Sequence, residues 1–454
     1  MDPGRCLKKP AGPPDRAHAA CDEAPRRSRC AREFVRGLLV VAVLGVTACN
    51  EEVEPEPEII PLPCDTRIDV PDGLCAILFH SGVGAARQLV VADNGDVFVA
   101  IRNSGNQTGG VVALRDTDDN HKADKRESWG DEGGSGIALA EGFLYLATDN
   151  SVLRYPLPEG SLTPSGSPTT IVENLPSDRN HRSKSIALHP DGGIFVGIGS
   201  PSNACQVRPR TPGQPGFDPC PELETRAGIW RFDGDEEEQT LSDGDLFSTG
   251  IRNANALAVH PETDELYAVV HGRDQLHALW PSIYTAEEGS EKPSEEFIHV
   301  QEDSDFGWPY CYHDPEDDRK LLAPEYDGDG EIVGRCANMD MPAIGLPAHW
   351  APNAMAFSTD DFPADYREGA FVAFHGSWNR SPLQEGYNVV WIPFEGDEPT
   401  GDWEVFADGF AGGRISSPSQ ADHRPTGVAV GPDGSLYVSE SLRGKIWKIV
   451  EKEE

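Results

Sequence analysis

Short apolar runs and tight polar turns alternate along most of this chain. Six segments share one pattern, in which an apolar run leads into an Asp- or Gly-rich turn and a second apolar run follows. These segments are residues 88–100, 136–147, 185–197, 256–268, 353–357 with 370–374, and 427–439. Turns such as Asn94-Gly95, Asp191-Gly192 and Asp433-Gly434 are strong β-hairpin signals between apolar runs. Candidate third strands follow the hairpins, as at residues 151–155, 228–232, 388–392 and 445–449.

Six such units predict an all-β chain folded as a six-bladed β-propeller, in which each blade is a small antiparallel sheet beside a central channel. Residues 74–79 precede the first unit and are expected to pair with the last blade, which closes the ring. A β-sandwich lacks this repeat, and a parallel α/β fold needs crossover helices. The chain shows no helical apolar period of useful length. We therefore assign residues 67–451 to one propeller domain.

Residues 1–48 have the features of an export signal. The apolar run at residues 37–48 is too short to span a bilayer and suits a signal-peptide core. It ends in Val46-Thr47-Ala48-Cys49, which resembles a bacterial lipobox and makes Cys49 the predicted lipidated residue; an ordinary secretory signal is the alternative. Residues 49–66 then form an acidic, proline-bearing tether. We expect a cell-envelope lipoprotein, on the periplasmic side or the cell surface, that meets the membrane only through its lipid anchor, or otherwise a periplasmic or secreted protein.

Cysteine usage agrees with export. Of the ten cysteines, four lie at or before Cys49, which leaves six for the mature chain. Six cysteines allow 15 connectivities, and none here has the spacing of zinc ligands. Pairing of sequence neighbours is the simplest arrangement, and it predicts the disulfides Cys64–Cys75, Cys205–Cys220 and Cys311–Cys336.

The charge balance removes several classes of partner. The 454 residues include 76 acidic and 38 basic ones, which gives a formal net charge of −38. Such a chain is repelled by nucleic acids and by anionic membrane surfaces. The acidic excess also makes every cluster of arginines more informative.

Basic and aromatic residues concentrate at one edge of the predicted blades. In an antiparallel hairpin, the start of the first strand and the end of the second lie at the same edge. The residues at these positions are Arg87, 180–182, 250–253, 271–275, 349–350, 375–380 and 423–425. The opposite edge carries plain Pro-Asp-Gly turns.

This combination of side chains predicts a planar, polyanionic ligand at one mouth of the channel. Guanidinium groups bind carboxylates in a forked geometry, imidazoles transfer protons, and an aromatic ring stacks on a planar group. Any single member also has an ordinary structural role. An arginine that begins a strand often pairs with a neighbouring carboxylate, and a lone histidine is often a hydrogen-bonded core residue.

Six motifs, most of them at this mouth, are specific in combination. They are Gly250-Ile-Arg-Asn253, His271-Gly-Arg-Asp-Gln275, Phe306-Gly-Trp-Pro-Tyr310, Ala348-His-Trp-Ala-Pro352, Phe374-His-Gly-Ser-Trp-Asn-Arg380 and Arg424-Pro425. With them the chain resembles the pyrroloquinoline-quinone (PQQ)-dependent sugar dehydrogenases over about residues 74–450. This family includes soluble glucose dehydrogenase, sorbosone dehydrogenase and, most similar here, the pyranose-dehydrogenase-type propeller.

The resemblance implies a role for each matching residue. His181 matches the general base that takes the sugar hydroxyl proton, and Arg252 matches the arginine that stabilises negative charge at the reactive quinone carbonyl. The residues implied at the cofactor are Asn253, Arg273, His349 and Trp378, with Arg380 and Arg424 at the PQQ carboxylates and the backbone carbonyls of Gly272 and Arg273 at calcium. One position departs from the family, because soluble glucose dehydrogenase supports its histidine with an aspartate where this chain has Ser200.

A second, separate calcium site is a possibility in an acidic loop. Its candidate ligands follow the spacing of positions 1, 3, 5, 9 and 12 of a twelve-residue calcium loop and are Asp116, Asp118, Asn120, Asp124 and Glu127. His121 occupies the position where glycine is normally needed, and no flanking helices are evident. An acidic surface turn is the alternative.

The resemblance implies PQQ- and Ca²⁺-dependent oxidation of an aldose-type sugar, or a related sugar such as sorbosone, to its lactone or acid. The sequence contains no haem motif C-x-x-C-H, so the expected electron acceptor is external, a cytochrome or a quinone. Two alternatives use the same fold. One is a non-catalytic propeller that binds a glycan or a protein, and the other is a calcium-dependent lactonase, which needs acidic metal ligands at the channel centre.

Overall fold

Six sheets, antiparallel except for one short parallel strand, follow one another along the chain in the order that the hairpin repeat predicts. The computed structural model describes residues 62–452, apart from residues 106, 141 and 397. The sheets are arranged as the blades of a six-bladed β-propeller, which confirms the predicted fold class. Residues 1–48, Cys49 and most of the tether lie outside the described residues, so the predictions on them stay predictions.

Each blade is numbered here in chain order and its strands run from the channel outwards. Blade 1 contains Ala86–Val91, Val97–Ile101, Gly110–Arg115 and Lys125–Trp129, and blade 2 contains Gly134–Ala140, Phe143–Thr148, Val152–Pro156 and Thr169–Val172. Blade 3 contains Ile186–Leu188, Gly193–Ile198, Gly228–Asp233, Asp245–Thr249 and the short parallel strand Ser304–Asp305. Blade 4 contains Ala254–Val259, Leu266–Val270, Glu295–Val300 and Ile344–Leu346.

The last two blades complete the ring. Blade 5 contains Pro352–Phe357, Gly369–Phe374 and Val389–Glu395, and the last of these pairs with both Glu398–Pro399 and Glu404–Ala407. Blade 6 contains Pro425–Val430, Leu436–Glu440 and Ile446–Glu451, with Leu74–His80 as its outermost strand. Leu74 lies opposite Glu451, so the two ends of the domain are joined by antiparallel pairing, as expected from the sequence.

Short elements fill the connections between these strands. A two-stranded sheet outside the blades pairs Cys311–Asp314 with Arg319–Leu322. The α-helices are Leu276–Leu279 and Glu288–Glu291, and the 3₁₀ helices are Pro221–Glu224, Leu241–Asp243, Pro324–Tyr326, Gly334–Asn338, Ala364–Tyr366 and Pro418–Gln420. Within the described residues, no helix combines the length and apolar character that a membrane crossing requires.

The hydrophobic core lies between the blades. Six apolar clusters each join two neighbouring blades; Phe98 packs with Leu146 between blades 1 and 2, and Phe371 packs in one cluster with Trp447 between blades 5 and 6. These side chains are removed from water only when blades dock against each other. The ring, rather than the single blade, is therefore the stable unit.

The three predicted disulfides are present, Cys64–Cys75, Cys205–Cys220 and Cys311–Cys336. The turns at the far edge of the blades are short, and Gly95 and Gly434 adopt φ of +83° and +67° there, a region that favours glycine. Long connections lie at the other edge, where residues 199–227, 271–294 and 375–388 follow the second strands of blades 3, 4 and 5. The tertiary structure thus places its irregular chain at the edge where the sequence concentrates arginine and histidine.

Candidate active site

A polar cavity of about 390 Å³ opens at the end of the channel where the long connections lie. We call it the mouth cavity. It brings together most of the residues predicted from the sequence, namely His181, Arg252, Asn253, Gly272, His349, Trp378 and Arg424. Below it the channel is apolar and holds a second cavity of about 340 Å³, to which each blade's first strand contributes, through Leu89, Ile137, Ile186, Leu257, Met355 and Val428.

Gln88 lies between the two cavities. Its side-chain amide donates hydrogen bonds to the carbonyls of Asn255, at 2.6 Å, and Asn353, at 2.9 Å, across the channel from blade 1 to blades 4 and 5. Asn255 and Asn353 line the mouth cavity, whereas Gln88 lines the apolar one. This bridge forms a polar floor under the site.

His181 is held in the form that a general base requires. Its Nδ1 lies 2.7 Å from the carbonyl oxygen of Ser200, and because a carbonyl only accepts, Nδ1 carries the proton and Nε2 keeps its lone pair. Burial and the charge of Arg252 lower the pKa of His181 to about 3, so the ring is neutral at pH 7. A Cβ on Gly199 would lie 2.6 Å from Cβ of His181, so this close approach requires glycine.

The Ser200 position therefore departs from the family pattern without leaving His181 unsupported. The backbone carbonyl of Ser200 orients the ring, while its hydroxyl donates to the carbonyl of Ser202 at 2.7 Å. A main-chain acceptor fixes the tautomer as a carboxylate would, but it brings no negative charge.

Arg252 is buried in the cavity wall and paired with Asp274. Its Nη2 donates to Oδ2 of Asp274 at 2.9 Å and to Oδ1 of Asn203 at 3.1 Å. Burial tends to raise the pKa of Asp274, but the neighbouring guanidinium charges outweigh it and lower the pKa to about 2. Asp274 is a site residue to which the sequence analysis gave no role, although it stands inside the His271–Gln275 motif.

Three further arginines of the cavity lining have no carboxylate within ion-pair distance among the described residues. They are Arg87, Arg102 and Arg424, which we call the arginine triplet. Burial and the charges of Arg102 and Arg424, which outweigh that of Asp149, lower the pKa of Arg87 to about 10. Arg424 donates to the carbonyls of His375, at 2.9 Å, and Gly376, at 2.7 Å. Positive charges concentrated in this way favour the binding of an anion.

Two predicted cofactor arginines do not face the cavity, which corrects the sequence analysis. The guanidinium of Arg273 forms a buried, two-point ion pair with Glu325. The guanidinium of Arg380 lies 2.5 Å from Glu291 and 3.0 Å from Glu385, and it donates to the carbonyl of Ser290 at 2.7 Å. A buried guanidinium requires nearby acceptors, and the long connections supply them. This is the structural role that an arginine at a strand end commonly has.

The remaining histidines of the mouth are hydrogen-bonded. His349 Nε2 lies 3.2 Å from the carbonyl of Gly289 and 3.1 Å from that of Lys292, and burial lowers its pKa. His271 Nε2 lies 2.6 Å from the carbonyl of Pro352, and burial and the charge of Arg252 lower its pKa to about 4. These rings are therefore neutral and fixed in orientation.

Trp378 stands at the rim of the mouth cavity with its side chain 49 % exposed. The guanidinium of Arg210 lies 6.0 Å from the centre of its ring. Arg210 belongs to the connection closed by Cys205–Cys220, and it also contacts Asp274 at 3.0 Å. An exposed indole at the edge of a polar cavity can stack on a planar ligand.

Glu295 is a further cavity residue that the sequence motifs did not indicate. It is the buried first residue of the blade 4 strand Glu295–Val300, and its oxygens accept hydrogen bonds from the N–H groups of Gly272 at 2.7 Å and Ala351 at 3.0 Å. Burial raises its pKa to about 8. Glu295 thus links the connection that contains Gly272 to the start of blade 5. Among the described residues, the backbone carbonyls of Gly272 and Arg273 accept no hydrogen bond.

The acidic loop in blade 1 does not assemble the predicted calcium ligands. The Asp116 carboxylate accepts backbone N–H groups of its own loop, among them that of His121 at 2.7 Å, and Asp124 accepts from Thr117 at 3.0 Å. Glu127 lies on the strand Lys125–Trp129, and Asp118 and Asn120 are exposed. The carboxylates stabilise the turn, because each finds a nearby N–H donor. In the described chain, the one group of three convergent metal-binding side chains is Cys205, Cys220 and Glu222, and its cysteines form a disulfide.

Comparison with known proteins agrees with this architecture. A PQQ-dependent pyranose dehydrogenase of Coprinopsis cinerea is 27 % identical over 236 residues, which cover 45 % of this chain and 30 % of that protein. An uncharacterized protein of Borreliella burgdorferi is 26 % identical over 212 residues, 45 % of this chain and 48 % of the relative. The matched segments thus span about half or less of these relatives' own lengths.

Solved structures show the same fold at low sequence identity. The holo form of the Coprinopsis cinerea pyranose dehydrogenase PQQ domain superposes with a TM-score of 0.67 at 18 % identity and covers 84 % of this chain and 96 % of its own. The calcium structure of the Trichoderma reesei carbohydrate-active enzyme of family AA12 gives a TM-score of 0.68 at 18 % identity, with coverage of 85 % and 97 %. The TrAA12-like family profile matches residues 68–452, nearly the whole propeller. The chain therefore belongs to the TrAA12-like family, which confirms the resemblance to PQQ-dependent sugar dehydrogenases that its motifs carry.

Proposed function

We propose that this protein is a PQQ- and calcium-dependent dehydrogenase that oxidises an aldose-type sugar to its lactone or acid. The observation that carries the proposal is the pairing of two features in the mouth cavity, a neutral, oriented His181 and the unpaired arginine triplet. The first suits removal of a hydroxyl proton, and the second suits a polycarboxylate cofactor. A neutral sugar alone would not require such a concentration of positive charge.

The residues present fit PQQ. The arginine triplet would hold its carboxylates, the exposed ring of Trp378 offers a surface for its planar rings, and Asn253 lines the same wall. The carbonyls of Gly272 and Arg273 would bind the calcium ion, since they accept no hydrogen bond from the described residues and calcium prefers oxygen ligands. Bound PQQ supplies an electrophilic quinone that accepts a hydride from the sugar carbon.

The chain's own groups would do the rest. His181 takes the proton of the sugar hydroxyl at Nε2, and the Ser200 carbonyl holds the ring in the required tautomer throughout. Arg252 supplies positive charge where negative charge develops, and Asp274 and Asn203 fix its orientation. Gln88 separates the polar cavity from the apolar channel, which keeps the reacting groups at the mouth.

The test is titration of purified protein with PQQ in Ca²⁺, followed by absorbance, and dye-linked turnover on a panel of aldoses. Wild-type protein should bind PQQ and reduce the dye. His181→Gln should bind PQQ normally and turn over about 10²–10⁴-fold more slowly, the usual contribution of a positioned base. Protein that binds no PQQ would leave the non-catalytic binding propeller as the better proposal, whereas full turnover by His181→Gln would place the base elsewhere.

A further inference from the structure

The mouth cavity has more positive charge than the proposed cofactor can neutralise. Seven arginines line it, Arg87, Arg102, Arg179, Arg182, Arg210, Arg252 and Arg424. Its acidic lining residues are Asp274 and Glu295, and burial raises the pKa of Glu295 to about 8, so Asp274 is the main negative charge of the lining. PQQ would bring three negative charges from its carboxylates and calcium would bring two positive charges. Bound together, they would add only one net negative charge to the cavity. A surplus of positive charge therefore remains around the sugar, in a chain whose net charge is −38.

Most of these arginines already have a role. Arg252 and Arg210 share the Oδ2 atom of Asp274, at 2.9 and 3.0 Å. Arg182 lies 3.0 Å from the carboxylate of Asp149. The arginine triplet is assigned above to the cofactor carboxylates. Arg179 alone remains, with no carboxylate within ion-pair distance among the residues that the structure describes.

Arg179 is well placed to contact the substrate. It is exposed in the mouth cavity and precedes the proposed base, His181, by two residues. The loop between them is fixed, because Asn180 donates to the carbonyl of Pro201 at 2.9 Å and His181 is bonded to that of Ser200 at 2.7 Å. Arg179 and His181 line the same cavity, so one sugar bound there can contact both.

We propose that the substrate is an anionic sugar of the uronic-acid type, whose carboxylate pairs with Arg179 while its anomeric hydroxyl faces His181. The inference rests on the proposed function, since it names the substrate class of the same site. Interactions between exposed charges decay within about 8 Å at physiological ionic strength. The local arginines therefore act on a bound sugar more strongly than the acidic surface farther away.

The reaction keeps its atoms and electrons in balance. The anomeric carbon loses its hydrogen as a hydride, with two electrons, to the quinone cofactor, and the anomeric hydroxyl loses its proton to His181. A C=O bond forms where the C–O single bond was, which gives the lactone of the sugar acid. The dye in the assay takes up the two electrons. The sugar carboxylate takes no part in the redox step and only positions the ring.

Matched sugar pairs test the inference. Glucuronate and galacturonate are compared with glucose and galactose, which differ only at C6. The ratio of kcat/KM for the acid to that for the neutral sugar should be about 10 or more, as expected for one charge-assisted hydrogen bond. Arg179→Gln should bring this ratio close to one, and Arg208→Gln, an exposed arginine outside the cavity lining, should leave it unchanged.

Separate measurements distinguish the possible failures. If kcat/KM for the neutral sugar equals or exceeds that for its acid, the anionic substrate is refuted and the dehydrogenase proposal is unaffected. A loss of PQQ affinity in Arg179→Gln would overturn the assignment of this arginine to the substrate. Binding of glucuronate is measured separately by calorimetry. Glucuronate that binds the wild-type protein and not Arg179→Gln would support the anionic ligand, even if no sugar were oxidised. A protein that oxidises no sugar would count against the proposed function and not against the anionic ligand.

Discussion

Arg424 and Arg380 provide a sharp test of the site, because the family resemblance treats them alike and the structure does not. Arg424 faces the mouth cavity and has no carboxylate partner among the described residues. Arg380 is not among the residues that line the cavity, and it contacts Glu291 and Glu385. Replacement of each by alanine should therefore change two different quantities.

Arg424→Ala should weaken PQQ binding. Nε and one N–H of Nη2 of Arg424 already donate to the carbonyls of His375 and Gly376, so Nη1 and the second N–H of Nη2 are left for a ligand. A hydrogen bond between charged groups contributes about 1.5–3 kcal/mol. The dissociation constant of PQQ should thus rise between about 10-fold and 150-fold. Excess PQQ should restore part of the turnover.

Arg380→Ala should instead lower the stability of the fold. Its side chain is 7 % exposed, and its removal leaves the carbonyls of Ser290 and Ala348 without their donor. Its two carboxylate partners are about half exposed, so water can solvate them once the arginine is gone. We therefore expect the free energy of unfolding to fall by about 2–3 kcal/mol, the lower end of the range for a broken buried ion pair. The dissociation constant of PQQ should change little.

The assays are PQQ titration by absorbance in saturating Ca²⁺ and urea unfolding of the cofactor-free protein. Arg424→Lys and Arg380→Lys serve as matched controls that keep the charge. Weak PQQ binding by Arg380→Ala with unchanged urea stability would refute the reasoning, since it would place that side chain at the cofactor as the resemblance implies. Normal PQQ binding by Arg424→Ala would remove the arginine triplet from the cofactor site.

Three further predictions follow from other parts of the chain. Burial lowers the pKa of His181 to about 3 and of His271 to about 4, so the unfolded chain binds more protons below about pH 6.5. The free energy of unfolding should then fall by about 1.4 kcal/mol per histidine for each pH unit between 6.5 and 4. Urea midpoints at pH 7 and 5 check this, and the dependence should weaken in His181→Gln/His271→Gln. Glu325→Gln should cost about 3 kcal/mol or more in urea unfolding, because it leaves the Arg273 charge buried without its partner, and Arg273→Met/Glu325→Leu should recover much of that loss. Cys49→Ala should move the mature protein from the membrane fraction to the soluble fraction, and equal membrane retention would contradict lipidation.

The fold could be predicted from the sequence because its determinants are local. Apolar alternation and turns such as Asn94-Gly95 specify each hairpin within about a dozen residues, and repetition of the hairpin specifies the blades. The edge at which the chemistry lies followed from strand direction alone, so residues as far apart as His181 and Arg424 were expected at one mouth. The disulfides also join sequence neighbours, which made their pairing predictable.

The direction of each side chain at that mouth was decided by the tertiary structure. Arg273, Arg380 and Arg424 look equivalent in the sequence, but acids of the inserted connections pair with the first two and leave only the third in the cavity. Glu295 belongs to no motif and enters the site through its blade's position. A buried charge pairs with whatever partner the folded chain brings within a few ångströms, and that partner can be dozens of residues away in the sequence. Residue type and spacing therefore determined which groups gather at the mouth, whereas their pairing, and hence the charge left for a ligand, depended on long-range packing.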